Sequence, residues 1–496
     1  MSCRLLPSLL AAALLAACGT AVVNPVTGRS ERTVMSEQDE VEEGRKAHAE
    51  ILKEYGAVQN PRLQAYVNDL GQRLAKQSHR ANLKWTFTVL DTPDVNAFAL
   101  PGGYVYVTRG IMAYLDSEAE LAGVVGHEIG HVTARHGAQR ATSQQRAGIG
   151  VLAATILGAV LESQGVSGAG RAASEISQSV AAGYIASYSR EQELQADQLG
   201  AEYLARNQYN PQNMVDVIGA LKAQERYAAD AARAEGKEPP SGANWLSSHP
   251  SNDQRLAEIR QIAAKYKGNY SEDGRTRYQQ AIDGMAFGET ADQGVTRGRH
   301  FYHEGLGIAL SAPQGWKIDN SPSAILLVNG AGDAGLVVKL VPPKAGKTHE
   351  EIIKNALKPV SGQTQPRNVN GLTATHFTGV VRNSQGQQSN ARLTLVTGPH
   401  DHTYLLQYAA RDAATLQRNL AGIGEAENSF RALSAADHKA ARPWKVDIVP
   451  YPAGGFAELA KQSPLTTMAE QQLRLINGVY NGGTEPKVGQ PVKVVR

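Results

Sequence analysis

The sequence predicts an α+β protein of more than one domain: a mainly helical N-terminal domain holding a small sheet, an antiparallel α+β domain after it, and a small β-α-α-β tail. Three observations predict this. Apolar residues recur at helical spacing through most of residues 41–267, broken by one stretch of strand-like alternation. From about His300 to Ser434 the pattern changes to short alternating runs with capped helical segments among them. The chain is 496 residues long, more than one ordinary domain holds, and its 42% apolar and 20% charged residues are those of a folded globular protein. A formal charge of +3 without long basic runs gives no reason to expect nucleic acid, and 6% aromatic residues are too few for a stacking platform.

Residues 1–17 read as a targeting segment. Arg4 supplies a positive start, and Leu5 to Leu14 form an apolar run too short to span a bilayer comfortably. Leu15-Ala16-Ala17-Cys18 resembles a lipobox, the processing signal of bacterial lipoproteins, which implies that Cys18 becomes the lipid-bearing first residue. Cys3 and Cys18 are the only cysteines, so processing would leave no thiol for a disulfide. Gly19 resembles the outer-membrane sorting pattern, and residues 18–40 read as a tether. From Ser36 the pattern is helical to about Tyr55. Asn60-Pro61 starts a second helix, a cap followed by proline in the first turn, with Leu63, Tyr66, Val67, Leu70 and Leu74 as its buried stripe. Trp85, Phe87 and Val89 alternate with polar residues as in a strand, and a second strand over Tyr104 to Thr108 follows the turn chemistry of Pro101-Gly102-Gly103.

The segment from Leu121 to His136 reads as one helix, with Ser117 and Glu120 as a capping box. Leu121, Val124, Val125, Ile129 and Val132 recur at helical spacing and predict burial. Into that surface the sequence puts His127, Glu128 and His131. Residues four apart lie one above the other, so both imidazoles can reach a single cation. Glu128 sits about 100° round the helix and can reach a water on that cation without ligating it. Two histidines and a carboxylate on an apolar helix are costly unless paired or metal-bound, and the pattern is the HExxH arrangement of zinc hydrolases. Arg135 and His136 are expected as solvated residues of the last turn, favourable to the helix dipole.

Ala147 to Leu161 is almost continuously apolar and leads into a Gly- and Ser-rich stretch. It is too short to span, so a buried core helix is expected in preference to a membrane-dipping or site-covering element. The segment Ser189 to Leu204 is a further helix, capped by Ser189 with Gln192, on which Glu193 and Asp197 share a face. A catalytic zinc takes three protein ligands and keeps one position open for water; His127, His131 and Glu193 make that set. Asp197 is one turn on, where it can accept the N–H of a ligating histidine and fix its tautomer. Alone this pair would read as a solvated helix face. An HExxH motif ending 62 residues before Glu193 changes the reading.

Over roughly Val41 to Tyr266 these motifs resemble the gluzincin zinc metallopeptidases, and among them the family of the CAAX prenyl endopeptidase and the periplasmic β-barrel assembly-enhancing protease. The resemblance implies one zinc ion per chain, with the third ligand on the helix from Ser189. It also implies that Asn96, Ala97 and Phe98 lie on an edge strand that pairs with extended substrate by main-chain hydrogen bonds. Ser248-His249-Pro250, with Arg255 beyond it, resembles the family's downstream His-Pro segment. Two roles stand for His249: occupying the fourth position on zinc and holding the enzyme latent, or stabilising an oxyanion together with Arg255. The first is favoured. The chain lacks the multiple spanning helices of the prenyl endopeptidase and shows no 34-residue helical repeat of the barrel-assembly type.

Asn210-Pro211 begins another helix, residues 231–243 read as a polar loop, and Ser251 with Gln254 caps a helix carrying Leu256, Ile259 and Ile262. Residues 268–299 are polar and read as a linker with a helix inside. In residues 300–435, strands are expected at Ile308 to Leu310, Ala324 to Val328, Leu336 to Val341, Leu372 to Val381, Ala391 to Val396 and Thr403 to Tyr408. Thr348 with Glu351 caps one helix and Asp412 begins a longer one, giving an antiparallel sheet with helices on one face. Gly307 to Trp316 loosely resembles the start of PsbP-like domains. His300, His303, His400 and His402 have no carboxylate or cysteine at suitable spacing and read as solvated loop residues. Residues 443–496 read β-α-α-β and resemble the second half of a LysM domain, with Gly454-Gly455-Phe456 where Gly-Asp-Thr is expected. Glycan binding and protein contact are equally open for that tail.

The expected function is a zinc-dependent endopeptidase, tethered by lipid on Cys18 to the outer membrane and acting in the periplasm on unfolded or misassembled envelope proteins. Peptidoglycan is a further contact if the tail binds glycan. The rival reading is a non-catalytic scaffold, chaperone or cell-wall-binding lipoprotein with a structural zinc. Glu128 separates the two, because a structural site has no use for a base beside its metal.

Overall fold

The computed structural model describes residues 20–143, 188–234, 245–249, 253–270, 272–321, 324–382, 388–480 and 482–496. Cys18 and the apolar segment 147–161 lie outside the described residues. The chain divides into two compact units, residues 1–287 with 445–496, and residues 288–444. No helix among the described residues is long and apolar enough to cross a membrane.

The first unit opens with a two-stranded hairpin, β1 (Thr20–Val23) and β2 (Ser30–Thr33). Two helices follow, α1 (Glu37–Tyr55) and α2 (Pro61–Lys76). Ser36 and Asp39 close a reciprocal capping box on α1, and the Asn60 side chain accepts from Leu63 N–H at the start of α2. A three-stranded sheet comes next, β3 (Thr86–Leu90), β4 (Ala97–Leu100) and β5 (Tyr104–Thr108), in the order β3-β5-β4. The β4–β5 turn uses Gly102 and Gly103 at φ 80° and 97°, backbone that L side chains rarely adopt. β3 runs parallel to β5 and β4 antiparallel to it, which leaves β4 at the edge.

Then come α3 (Arg109–Tyr114), α4 (Glu118–Thr133), α5 (Arg190–Arg206), α6 (Asn213–Ala234), a single turn at Trp245–Ser248, α7 (Asp253–Ala264) and α8 (Arg275–Ile282). α4 is buried at nearly every position. Its cap differs from the sequence expectation in one respect. Ser117 accepts from Glu120 N–H, but the Glu120 carboxylate accepts from Asp116 N–H instead of closing the reciprocal bond. α6 runs on to Ala234, so the first residues expected as polar loop are helical. Residues 268–299 hold the expected helix, α8, and also the short strands β6 (Ala286–Phe287) and β7 (Val295–Arg297).

The second unit is sheet-rich. After β7 come β8 (His300–His303), β9 (Ile308–Ser311), β10 (Lys317–Ser321), β11 (Ala324–Val328), β12 (Ala334–Leu340), β13 (Pro359–Val369), β14 (Leu372–Arg382), β15 (Gln388–Thr397) and β16 (Thr403–Ala410). The helix α9 (Ala413–Asn428) and the short β17 (Arg431–Ala432) complete it. Seven strands form an antiparallel sheet in the order β10-β11-β12-β16-β15-β14-β13, and β17-β9-β8-β7 form a second. Phe301, Leu310, Leu327, Leu336, Leu406, Ile423 and Phe430 share its core. Among the described residues the only metal-type grouping of histidines and acids lies in the first unit, and none of His300, His303, His400 and His402 joins it.

The tail has the expected β-α-α-β order: β18 (Trp444–Pro450), α10 (Gly455–Ala460), α11 (Ala469–Ile476) and β19 (Pro491–Val495). It groups with the first unit instead of standing alone: β18 lies between β19 and β6. The tie is polar as well as apolar. The Lys493 ammonium, 1% exposed, sits 2.9 Å from an Asp116 carboxylate oxygen and donates to Leu115 O at 2.5 Å, just ahead of α4. Lys493→Met is expected to destabilise the first unit by about 3 kcal/mol, because it strands a carboxylate and carbonyls that the ammonium satisfied. Urea unfolding measures this, and an unchanged midpoint would show that the tail does not brace the unit.

Candidate metal centre

Helix α4 supplies His127 and His131 one turn apart, and α5 crosses it closely enough to add Glu193. Glycine permits that crossing. A Cβ on Gly130 would stand 2.9 Å from Ala196 O, and one on Gly200 would stand 3.1 Å from His127 N. His249 arrives from the turn after Trp245. His127, His131, Glu193 and His249 each offer a ligand atom, and these atoms all lie within 4.8 Å of one another with every residue buried. His127 Nε2 is 3.0 Å from His131 Nε2 and 3.2 Å from His249 Nδ1. The Glu193 oxygens lie 3.0, 3.5 and 3.6 Å from His249 Nδ1, His131 Nε2 and His127 Nε2. A tetrahedral ion with ligands at about 2.0–2.1 Å separates them by about 3.3 Å, so these residues fit zinc.

The outer bonds fix which nitrogen faces the centre. His127 Nδ1 lies 2.9 Å from Asp197 Oδ1, which leaves Nε2 free to ligate. Asp197 is held in turn by Arg255, whose Nε and Nη2 donate at 2.8 and 2.9 Å. Arg255 Nη1 lies 2.7 Å from Glu193 Oε2 and donates to His249 O at 2.9 Å. Its guanidinium thus bridges two carboxylates and a carbonyl and positions those groups.

Charge follows from burial and neighbours. Burial pushes the Glu193 carboxyl up, but His249 and His131 outweigh it and hold Glu193 well below the usual carboxylate range. Burial drives His131 well below the usual histidine range, keeping it neutral as a ligand must be. Burial also pulls His249 down, yet Glu193 and Glu128 reverse this and leave it above the ordinary value.

Glu128 stands beside the donor set and outside it. Its Oε1 accepts from the Trp245 indole N–H at 3.1 Å and lies 3.5 Å from His249 Nε2. Its Oε2 is buried with no hydrogen-bond partner among the described residues. Trp245 was not singled out in the sequence; a tryptophan close before Ser-His-Pro, whose N–H must find an acceptor when buried, was the available signal. Its ring stacks on His249 with centroids 4.7 Å apart. Tyr188 was missed too, and stacks on His131 at 3.8 Å.

Two residues expected in solvent are not there. Arg135 is 8% exposed and His136 fully buried. Arg135 takes φ 59°, so the chain leaves α4 in a left-handed turn that carries His136 back toward His131. His131 Nδ1 and His136 Nδ1 lie 2.9 Å apart, and His136 Nε2 is 3.1 Å from Gln195 Oε1. Arg135 pairs with Glu40 at 2.7 Å. The polarity that suggested a solvated last turn in fact builds a buried network.

The edge strand has a defined open side. Thr108 N–H donates to Asn96 O, and Phe98 and Leu100 pair opposite Tyr106 and Tyr104, so Asn96, Phe98 and Leu100 turn their main chain to β5. Val95, Ala97 and Ala99 face the open edge. The Phe98 ring is core, stacked on Tyr106 at 4.8 Å. Trp245 N–H already donates to Val95 O at 2.7 Å, one of the open-edge carbonyls.

Residues 61–263 match the model of peptidase family M48. That span carries the HExxH helix, Glu193, Asp197, His249 and Arg255, and M48 metallopeptidases use zinc. The resemblance drawn from the sequence is the one the comparison finds. Curated relatives agree. The chain is 32% identical over 214 residues to the β-barrel assembly-enhancing protease of Yersinia pestis, covering 42% of this chain and 41% of that protein. The protein of the same name from Escherichia coli strain K12 is 30% identical, covering 48% and 47%. Mitochondrial metalloendopeptidase OMA1 of Schizosaccharomyces pombe is 29% identical over 47% of this chain and 64% of its own length. The chain spans about half the length of the barrel-assembly relatives it matches. A solution structure of cyanobacterial PsbP from Synechocystis aligns over 28% of this chain and 98% of its own, with 12% identity and a TM-score of 0.21, too low to bear on the fold.

Proposed function

We propose that this chain is a zinc-dependent endopeptidase with an M48-type centre. The observation that carries the reading is the convergence of three imidazoles and a carboxylate in a buried site, with Glu128 beside them and outside the set. When bound, zinc would lower the pKa of a water toward about 7 and polarise a peptide carbonyl. His127, His131 and Glu193 would hold it. Glu128 takes the water's proton at the unpartnered Oε2 and returns it to the leaving amine. Along the open edge the main chain of Ala99 and the Ala97 carbonyl would pair with an extended peptide, since Val95 O already accepts from Trp245 and Ala97 N–H donates to Asn96 Oδ1.

His249 Nδ1 lies 3.2 Å from His127 Nε2 and 3.0 Å from Glu193 Oε1, which supports a latent state in which its imidazole would cap the metal in place of water. His249→Ala is then expected to cleave a model peptide faster than wild type. A fall of orders of magnitude with zinc retained would instead assign His249 to the oxyanion.

The lipobox-like Cys18 supports anchoring to the outer membrane from the periplasmic side, and the names of the barrel-assembly relatives support envelope proteins as substrates. The tail's likeness to half a LysM domain supports a peptidoglycan contact, although its packing into the first unit favours a bracing role. Comparing periplasmic peptide fragments from cells with wild-type chain and with Glu128→Gln tests the whole reading. Envelope-protein fragments should vanish with the variant; an identical fragment set would favour the scaffold reading.

A further inference from the structure

The hairpin at the start of the first unit reaches the metal centre. Asn24, 2% exposed, opens the turn between β1 and β2 and accepts from Val26 and Thr27 N–H at 2.9 and 3.2 Å through its Oδ1. Its Nδ2 donates to Glu31 at 3.0 Å and to Gln195 Oε1 at 2.9 Å. The same Gln195 oxygen meets His136 Nε2, whose ring partner nitrogen meets His131 Nδ1. The polarity of this chain of contacts is determined from one end. An amide nitrogen only donates, so the Gln195 atom between Asn24 and His136 is an acceptor, and His136 carries its proton on Nε2. His136 Nδ1 is then a bare acceptor, His131 must carry its proton on Nδ1, and its Nε2 lone pair points at the centre.

We infer that Asn24, Gln195 and His136 form a relay that fixes the metal-ligating tautomer of His131, making the N-terminal hairpin a positioning part of the zinc site. The inference rests on the metal-centre reading above. His127 takes its orientation from the Asp197 carboxylate; His131 takes its own from a neutral imidazole whose direction is set by an asparagine on a different element. Anything that pulls the hairpin away removes the donor that orders the relay, so undocking it would lower metal affinity without touching a ligand.

The test reverses the polarity without removing the turn. Asn24→Asp keeps the oxygen that accepts from Val26 and Thr27 but puts an acceptor against Gln195. Combining it with Glu31→Gln restores a donor beside residue 24 and avoids two facing carboxylates. To satisfy the introduced carboxylate, Gln195 must turn its NH₂ inward; His136 then shifts its proton to Nδ1, and His131 is driven to carry its own on Nε2, where the metal should bind. Zinc affinity of the full chain is measured by competition with a chromogenic chelator, beside the melting temperature of the metal-free protein. The double variant and His136→Ala are each expected to bind zinc about 10- to 100-fold more weakly, the range seen when outer partners of ligating histidines are lost. The metal-free double variant should melt as wild type does, and the visible bands of its Co²⁺ form should change. Zinc affinity within about twofold of wild type in the double variant would overturn the relay, as would a weakening matched by an equivalent loss of metal-free stability. A wild-type chain that binds no zinc is a separate result, and it would remove the metal centre and the relay together.

Discussion

Glu128→Gln is expected to abolish peptide hydrolysis while leaving zinc bound. The amide matches the carboxylate in size and still accepts the Trp245 indole N–H through its oxygen. It cannot take a proton from water at neutral pH. General-base catalysis contributes about 10²–10⁴-fold, and here the same group also protonates the leaving amine, so a loss at the upper end or beyond is expected. The ligand atoms of His127, His131 and Glu193 are untouched by the substitution. Cleavage of an unfolded substrate and zinc content, measured on one preparation, decide it. Zinc loss with unchanged cutting would reject the mechanism.

Glu193→Ala has the second large effect, on the metal itself. Glu193 is the one carboxylate in the donor cluster, and Arg255 Nη1 lies 2.7 Å from it. Without that carboxylate the site loses a ligand and the negative charge beside Arg255 Nη1, while Arg255 stays paired with Asp197. Loss of outer partners alone costs about 10- to 100-fold in affinity, so loss of this group should exceed 100-fold. Chelator competition measures it, and a variant that kept wild-type affinity would place the third ligand elsewhere.

The core of the site was legible because its chemistry is written at helical spacing. His127 and His131 four apart on an apolar helix, and Glu193 with Asp197 four apart on a capped one, leave few other uses for such residues in a buried surface. What the pattern did not carry was direction. Arg135 and His136 follow the last apolar residue of α4 and read as solvated; only the left-handed turn at Arg135 returns them to the interior. Trp245 and the turn asparagine Asn24 act across 117 and 171 residues of sequence, on Glu128 and Gln195, and no local periodicity encodes such contacts.

The second unit divides along the same line. The strands β9, β11, β12, β14, β15 and β16 each carry several buried apolar residues. Of the strands in the seven-stranded sheet, the two that were missed, β10 and β13, are its polar edges. β13 is exposed at every position but Val369 and holds Pro359 and Pro366, which an edge strand tolerates. Where nothing is buried, hydrophobic patterning has nothing to report. The tail's elements were legible, but its attachment was not, because a lone lysine in a strand gives no sign that its ammonium will be buried against Asp116.

Zinc titration of the metal-free full chain, followed by cleavage of an unfolded outer-membrane protein at each addition, tests the central claim most directly. A single buried centre built from His127, His131 and Glu193 predicts no cleavage without metal and a rise to a plateau at one equivalent. Full cleavage by the metal-free chain would contradict it.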